Sequence, residues 1–178
     1  LLLREDATAE PALDRVAAHE DWIRTNGVSG RRADLSGRDL SRLDLSGRTL
    51  TTARLAGARC AGTSFAGANL VMADLEGADL HRADLSGADL RGANLERAHL
   101  GQAVLRGADL RPLTSAESTD RRWPTRLGRA RIYQADLRDA DLRQAQLAKA
   151  DLSGSDLRGA KVDGWTIDGA VLIGVRRD

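Results

Sequence analysis

The sequence predicts an all-β solenoid, a narrow rod of short repeating units. Three observations point there: a five-residue period, an interior alphabet of Leu and Ala, and a scarcity of rings. The 178 residues include only three Trp, one Tyr and one Phe, although 42% are hydrophobic. Compact cores lean on aromatic side chains for buried volume, so this chain must enclose something thin and regular. Lys and Arg number 27 against 26 Asp and Glu, for a net charge of +1. That balance gives neither the basic footprint of a nucleic-acid binder nor an acidic excess.

The period is explicit. From Leu35 to Leu110 every fifth residue makes sixteen positions, fourteen of them Leu and two filled by Cys60 and Phe65. Two residues earlier runs a small series from Ala33 to Ala108, Ala at twelve of sixteen, with Arg38, Leu43, Arg48 and Thr63 as exceptions. After an interruption the large series resumes with Ile132, Leu137, Leu142, Leu147, Leu152, Leu157, Val162, Ile167 and Leu172. A helix of 3.6 residues per turn drifts out of phase with five, and a strand of period two cannot keep an odd repeat on one face. A corner every five residues can. The large residue and the small one then face inward, and the Asp or Asn between them faces out. Gly recurs two after the large residue, as at Gly57 and Gly77, where a turn with positive φ has use for it. Pentads alone leave the number of sides per coil open.

The runs Ala73-Asp74-Leu75-Glu76-Gly77 and Ala83-Asp84-Leu85-Ser86-Gly87 resemble the pentapeptide-repeat family. The resemblance implies a right-handed quadrilateral β-helix with four units per coil. The repeats, spanning about Arg32 to Gly174, would then make about six coils and, at ~4.8 Å per coil, a rod of roughly 30 Å. Residues twenty apart would stack. One column reads Asp34, Arg54, Asp74, Asn94 and the next Asp39, Arg59, Asp79, His99. The fourth sets Asp89 beside Asp109, flanked by Arg91 and Arg111. Exposed pairs contribute at most ~1 kcal/mol each, so these ladders read as register control and solubility. Val71 and Met72 would form a small apolar spot on the fourth column.

Five segments follow. Residues 1–30 hold a helix from Pro11 to Asn26, with Leu13, Val16, Ala17 and Ile23 at helical spacing and Gly27 as its stop. It should plug the first coil, with Trp22 over the tube mouth, since an open coil end exposes unpaired backbone and an apolar cross-section. Arg38 and Arg48, at small inward positions, are expected to carry their guanidinium groups out of that end. Residues 31–111 form the first repeat block and 130–174 the second. Between them, residues 112–129 leave the coil as a protruding loop, and 175–178 are a tail.

The loop is the best candidate for partner recognition, because long insertions on rigid scaffolds tend to carry function. Arg121, Arg122, Trp123 and Arg126 are its candidate anchors, Arg and Trp being typical of binding hot spots. Trp123 folded back on the rod is the structural alternative. At the far end Trp165, in a place usually held by Ala, together with Ile173 and Val175, is a candidate end contact that would allow a homodimer; self-closure by Trp165 is the alternative.

No nucleophile elbow, phosphate loop or paired cysteines occur, His19, His81 and His99 lie in different segments, and a filled interior leaves no ligand cavity. No catalytic or metal residues and no cofactor are therefore expected. One cysteine gives no disulfide framework, so a cytoplasmic setting is the default. Leu1 to Leu3, followed by Arg4, Glu5 and Asp6, do not read as a signal peptide, and no apolar run reaches the ~20 residues of a membrane span. The chain reads as a non-enzymatic scaffold or protein-interaction module whose protein partner is unknown. The alternative, implied by family members that confer quinolone resistance, is binding to DNA gyrase by duplex mimicry. A 30 Å stretch of duplex carries roughly seventeen charges at one per ~1.7 Å, whereas residues 33–111 carry ten acidic and ten basic groups. Local nucleic-acid contact through the loop is a third reading.

Overall fold

The computed structural model describes residues 11–115 and 121–178. Leu1 to Asp6 and the loop residues Glu117, Ser118 and Asp120 lie outside that set. The repeats wind into a parallel β-helix. Single residues pair with their counterparts one coil away in four columns: Asp34–Arg54–Asp74–Asn94, Asp39–Arg59–Asp79–His99, Asp44–Ser64–Asp84–Val104 and Thr49–Asn69–Asp89–Asp109. Four columns per twenty residues make the tube four-sided.

The hydrogen bonds explain why a pentad suffices. The inward Leu donates its N–H to the next coil (Leu55 to the Asp74 carbonyl, 2.7 Å), and the outward residue donates back (Asp74 to the Ala53 carbonyl, 3.0 Å). The corner closes on itself, Ala58 N–H donating to the Leu55 carbonyl at 3.0 Å. Each side thus satisfies its backbone groups in very few residues, the condition for burying them. Asp and Asn do local work as well: Asp74 Oδ1 accepts the Glu76 N–H at 3.2 Å and Asp84 Oδ1 the Ser86 N–H at 2.9 Å, so the outward residue of the unit also ties down its own corner. Glycine is not indispensable at these corners. Arg82 and Gln102 adopt φ of 56° and 58° there, a left-handed conformation that costs a non-glycine residue about 1 kcal/mol.

The interior is solid. Leu35, Leu55, Leu75, Leu95, Cys60, Phe65 and the inward alanines from Ala53 to Ala93 at the small positions are fully buried, each large side chain worth ~1.5–3 kcal/mol of burial.

Across the interruption the ladder continues with Asn94 paired to Arg126, His99 to Arg131, Val104 to Asp136 and Asp109 to Asp141. The offset is 32 residues instead of 20, so the excursion adds twelve. The chain is back in the coil at Thr125, 0% exposed at a small inward position, and Leu127, 1% exposed at a large one. This corrects the expected loop end at Arg129. Arg126 is a rung of the first column and does not belong to the loop. The physical reason is that Thr fills the small inward site as well as Ala does, its hydroxyl accepting and donating where the Ala series has nothing to offer.

Helix α1, Ala12–Arg24, lies against the first coil. Its buried residues are Val16 and His19, whereas Leu13 is 45% exposed. Ala17 is exposed too, and Trp22 is only half-buried, its ring stacked on His19 at 5.7 Å. The expected apolar face is thus corrected in part: Val16 joins the coil interior with Ala12 packed beside it, Leu13 and Ala17 stay exposed, and His19 and Glu20 supply the hydrogen bonds that the backbone groups of the coil end require, with the Trp22 ring lying on His19. His19 Nε2 lies 3.0 Å from the Thr51 carbonyl, and its Nδ1 accepts the Ala33 N–H at 3.1 Å. Glu20 accepts the Thr49 N–H at 3.0 Å and the Arg48 guanidinium at 2.8 and 2.7 Å. Arg48 therefore ends in an ion pair with the helix, and Arg38 is half-buried.

Candidate interaction surfaces

The loop is rooted by side chains on three coils. Its trunk is a short antiparallel ribbon, β1 (Leu113–Thr114) with β2 (Arg122–Trp123), in which Leu113 faces Trp123 and Thr114 faces Arg122. The Thr125 hydroxyl donates toward the Leu90 and Arg111 carbonyls at 3.0 and 3.1 Å and accepts the Gly92 N–H at 3.0 Å. Above Gly92 converge the Met72 sulfur, the Leu113 side chain and the Trp123 carbonyl. The apolar spot at Val71 and Met72 thus serves as the seat of the loop: Val71 is buried and Met72 half-buried. Trp123 is half-buried, while Arg121 and Arg122 are exposed. Of the four expected anchors, the structure brings Arg121, Arg122 and Trp123 together on the ribbon and leaves Arg126 on the rod.

Beside the ribbon opens a cleft of about 310 Å³ lined by Arg91, Arg111, Pro112, Thr114, Arg122, Arg143 and Gln144. Three of its arginines stack on successive coils, each two residues after an Asp of the fourth column. Arg111 places Nε and Nη2 on Asp109 at 2.9 and 2.7 Å, and Arg143 does the same to Asp141 at 2.9 and 2.6 Å. Arg91 pairs with Asp89 in the same way, at 2.9 and 2.7 Å. Burial would raise the Asp109 carboxyl, but hydrogen bonds from Arg111 outweigh it and hold it below the ordinary carboxylate value. Arg143 holds Asp141 down in the same way. Arg122 closes the far wall, donating Nη1 to Gln144 Oε1 at 2.9 Å. Sequence reasoning noticed Arg91 and Arg111 but missed Arg143. The recurring Asp-Leu-Arg would have found it, once Thr125 was admitted to the coil and Asp141 fell into register with Asp109.

Two histidines expected to lie apart are neighbours. His81 and His99 stack with centroids 5.3 Å apart, and His99 Nε2 lies 3.0 Å from the Tyr133 hydroxyl. Tyr133 occupies the space over Gly101, where any Cβ would collide with its ring. Burial and the Arg131 charge lower the His99 imidazole below its ordinary value. Among the described residues no set of three His, Cys, Asp or Glu is gathered to hold a metal.

At the last coil Val162, Trp165, Ile167, Leu172 and Val175 are half-buried and Ile173 is 76% exposed. The Arg177 guanidinium lies over the Trp165 ring, 4.9 Å from its centroid. None of the described helices is long and apolar enough to cross a membrane.

A four-sided parallel coil of Ala-Asp-Leu-x-x units defines the class. The family model for pentapeptide repeats matches residues 49–82, 83–111 and 125–164 in eight copies, and the chain belongs to that family. It is similar to a pentapeptide repeat protein of the Arabidopsis thaliana thylakoid lumen, with 36% identity and a TM-score of 0.54 over 64% of this chain and 70% of that one. It also resembles HetL of the cyanobacterium Nostoc, a protein involved in heterocyst differentiation regulation, at 31% identity and a TM-score of 0.37, covering 82% and 72% of the two chains. The plasmid-mediated fluoroquinolone resistance protein QnrB1 matches at 22% identity and a TM-score of 0.40, over 81% and 72%. No curated protein matches the sequence.

Proposed function

We propose that this chain is a non-enzymatic scaffold that binds a protein partner through the ribbon loop, with Arg121 and Arg122 as exposed anchors. The observation that carries this reading is the rooting of the loop base: Thr125, Met72 and Gly92 fix β1 and β2 on the rod. Such pre-ordering lowers the entropy lost on binding. Trp123, half-buried with its carbonyl over Gly92, serves as a root more than as a contact. Helix α1 acts as a cap that keeps the first coil from pairing edge to edge. The half-buried Trp165 and Val175, with the exposed Ile173, suit a contact with a second copy at the other end. A cytoplasmic setting agrees with the unpaired Cys60.

Affinity capture from the source cell tests the loop. The double variant Arg121→Ala, Arg122→Ala is expected to lose a partner that the wild-type rod retains, and unchanged capture would refute loop recognition. A gyrase supercoiling assay with the same two proteins separates the topoisomerase alternative, and a DNA-binding assay the nucleic-acid one; the near-neutral rod argues against both.

A further inference from the structure

We infer that the cleft between the ribbon and the fourth face is a binding site for a multivalent oxyanion, a ligand carrying at least two carboxylate or phosphate groups. A guanidinium has five N–H donors in a planar fork. Arg91, Arg111 and Arg143 each direct Nε and Nη2 at their own Asp. Among the described residues, the Nη1 end of each meets no hydrogen-bond acceptor. Because the Asp–Arg unit recurs on successive coils, these ends repeat at the coil spacing of ~4.8 Å, and all three line one cleft of about 310 Å³.

The carboxylates do not block the approach. Asp109 and Asp141 side chains are 27% and 17% exposed, while Arg111 and Arg143, which cover them, are 43% and 39% exposed. An incoming anion meets guanidinium first. The ion pairs also fix the three forks in orientation, so little side-chain entropy is lost when an oxyanion bridges two of them. Arg122 and Gln144, joined to each other, line the opposite wall with Thr114 beside them. The cleft shares Arg122 with the loop, but the site does not require partner capture, and the variants that test it leave Arg122 in place.

Calorimetric titration of the intact chain with inorganic tripolyphosphate and with a hexaglutamate peptide tests the inference. Saturable binding of either probe that weakens as salt is raised is expected, and the probe that binds more tightly names the source of the oxygens. Arg111→Gln should weaken it by at least about tenfold, the scale of one charge-assisted contact. Arg158→Gln, which removes the same kind of Asp-paired arginine from the neighbouring face, should leave it unchanged. Should Arg111→Gln unfold, Arg143→Gln provides the same comparison, and resonance shifts of the arginine Nε groups in the wild type report the site directly. Absence of binding by both probes, or equal loss in Arg158→Gln, would overturn the assignment.

Discussion

The Met72 sulfur stands 2.7 Å from the point that a Cβ on Gly92 would occupy, with the Leu113 Cβ 3.1 Å from the same point. Glycine at 92 is therefore the hinge between rod and loop: the missing side chain is the space into which the coil below and the ribbon above both reach. Gly92→Ala adds a left-handed Ala at φ +69° to a clash, and should cost about 2–4 kcal/mol. Gly87 has φ +62° and nothing within 4 Å, so Gly87→Ala should cost only about 1 kcal/mol. Denaturant midpoints of the two variants check this difference.

Thr125 is the second root. Thr125→Val keeps the volume but leaves the Gly92 N–H and the Leu90 and Arg111 carbonyls short of a partner, an expected loss of about 1–3 kcal/mol. Thr125→Ser, which keeps the hydroxyl, should recover most of it. Equal midpoints for Val and Ser would show that the hydroxyl holds nothing.

Stability should fall on mild acidification. Burial, with Arg32 adding to it, holds His19 below its ordinary value of 6.5, so the folded state resists a proton that the unfolded chain accepts. The contribution is complete above about 6.5 and is lost progressively as pH drops below it. Protonation at Nδ1 would set N–H against the Ala33 N–H. Glu20 is held below its ordinary value of 4.5 chiefly by Arg48, and its contribution is present above 4.5 and lost as pH falls further. His19→Gln should flatten the first decline and spare the second in melts taken between about pH 2 and pH 8. His99, also lowered, adds to the first window and sets the residual slope.

Cys60 is fully buried, and burial pushes its thiol up to about 12, with the Asp79 charge acting in the same direction. The thiolate is the reactive form. Labelling by an aromatic disulfide reagent at pH 8 should be negligible in the native chain and complete in denaturant. Rapid native labelling would mean that the second coil opens locally.

Much of this fold was legible in the sequence because the pentad writes each side of the tube separately. Leu35 to Leu110 name the interior with no reference to anything distant. The loop boundary was less legible, since the register resumes at Thr125, where a residue outside the Ala series occupies the small site. That one displacement hid the stacking of Arg143 on Arg111, and with it the cleft. The first coil was misread for another reason. Hydrophobic spacing ranks Leu13 and Ala17 above His19 and Glu20, but the coil end demands hydrogen-bond partners, and only contacts more than ten residues away reveal which side chains supply them.

The register across the insertion is the most direct test. Residues paired across parallel rungs stand ~4.8 Å apart, inside the 4.4–6.8 Å window for a disulfide. In a Cys60→Ala background, Val104→Cys with Asp136→Cys should oxidise to an intrachain disulfide that leaves the coil folded, and Val104→Cys with Asp141→Cys, one pentad further on, should not. The reverse pattern would contradict a coil that resumes at Thr125, and the loop roots and the arginine cleft would fall with it.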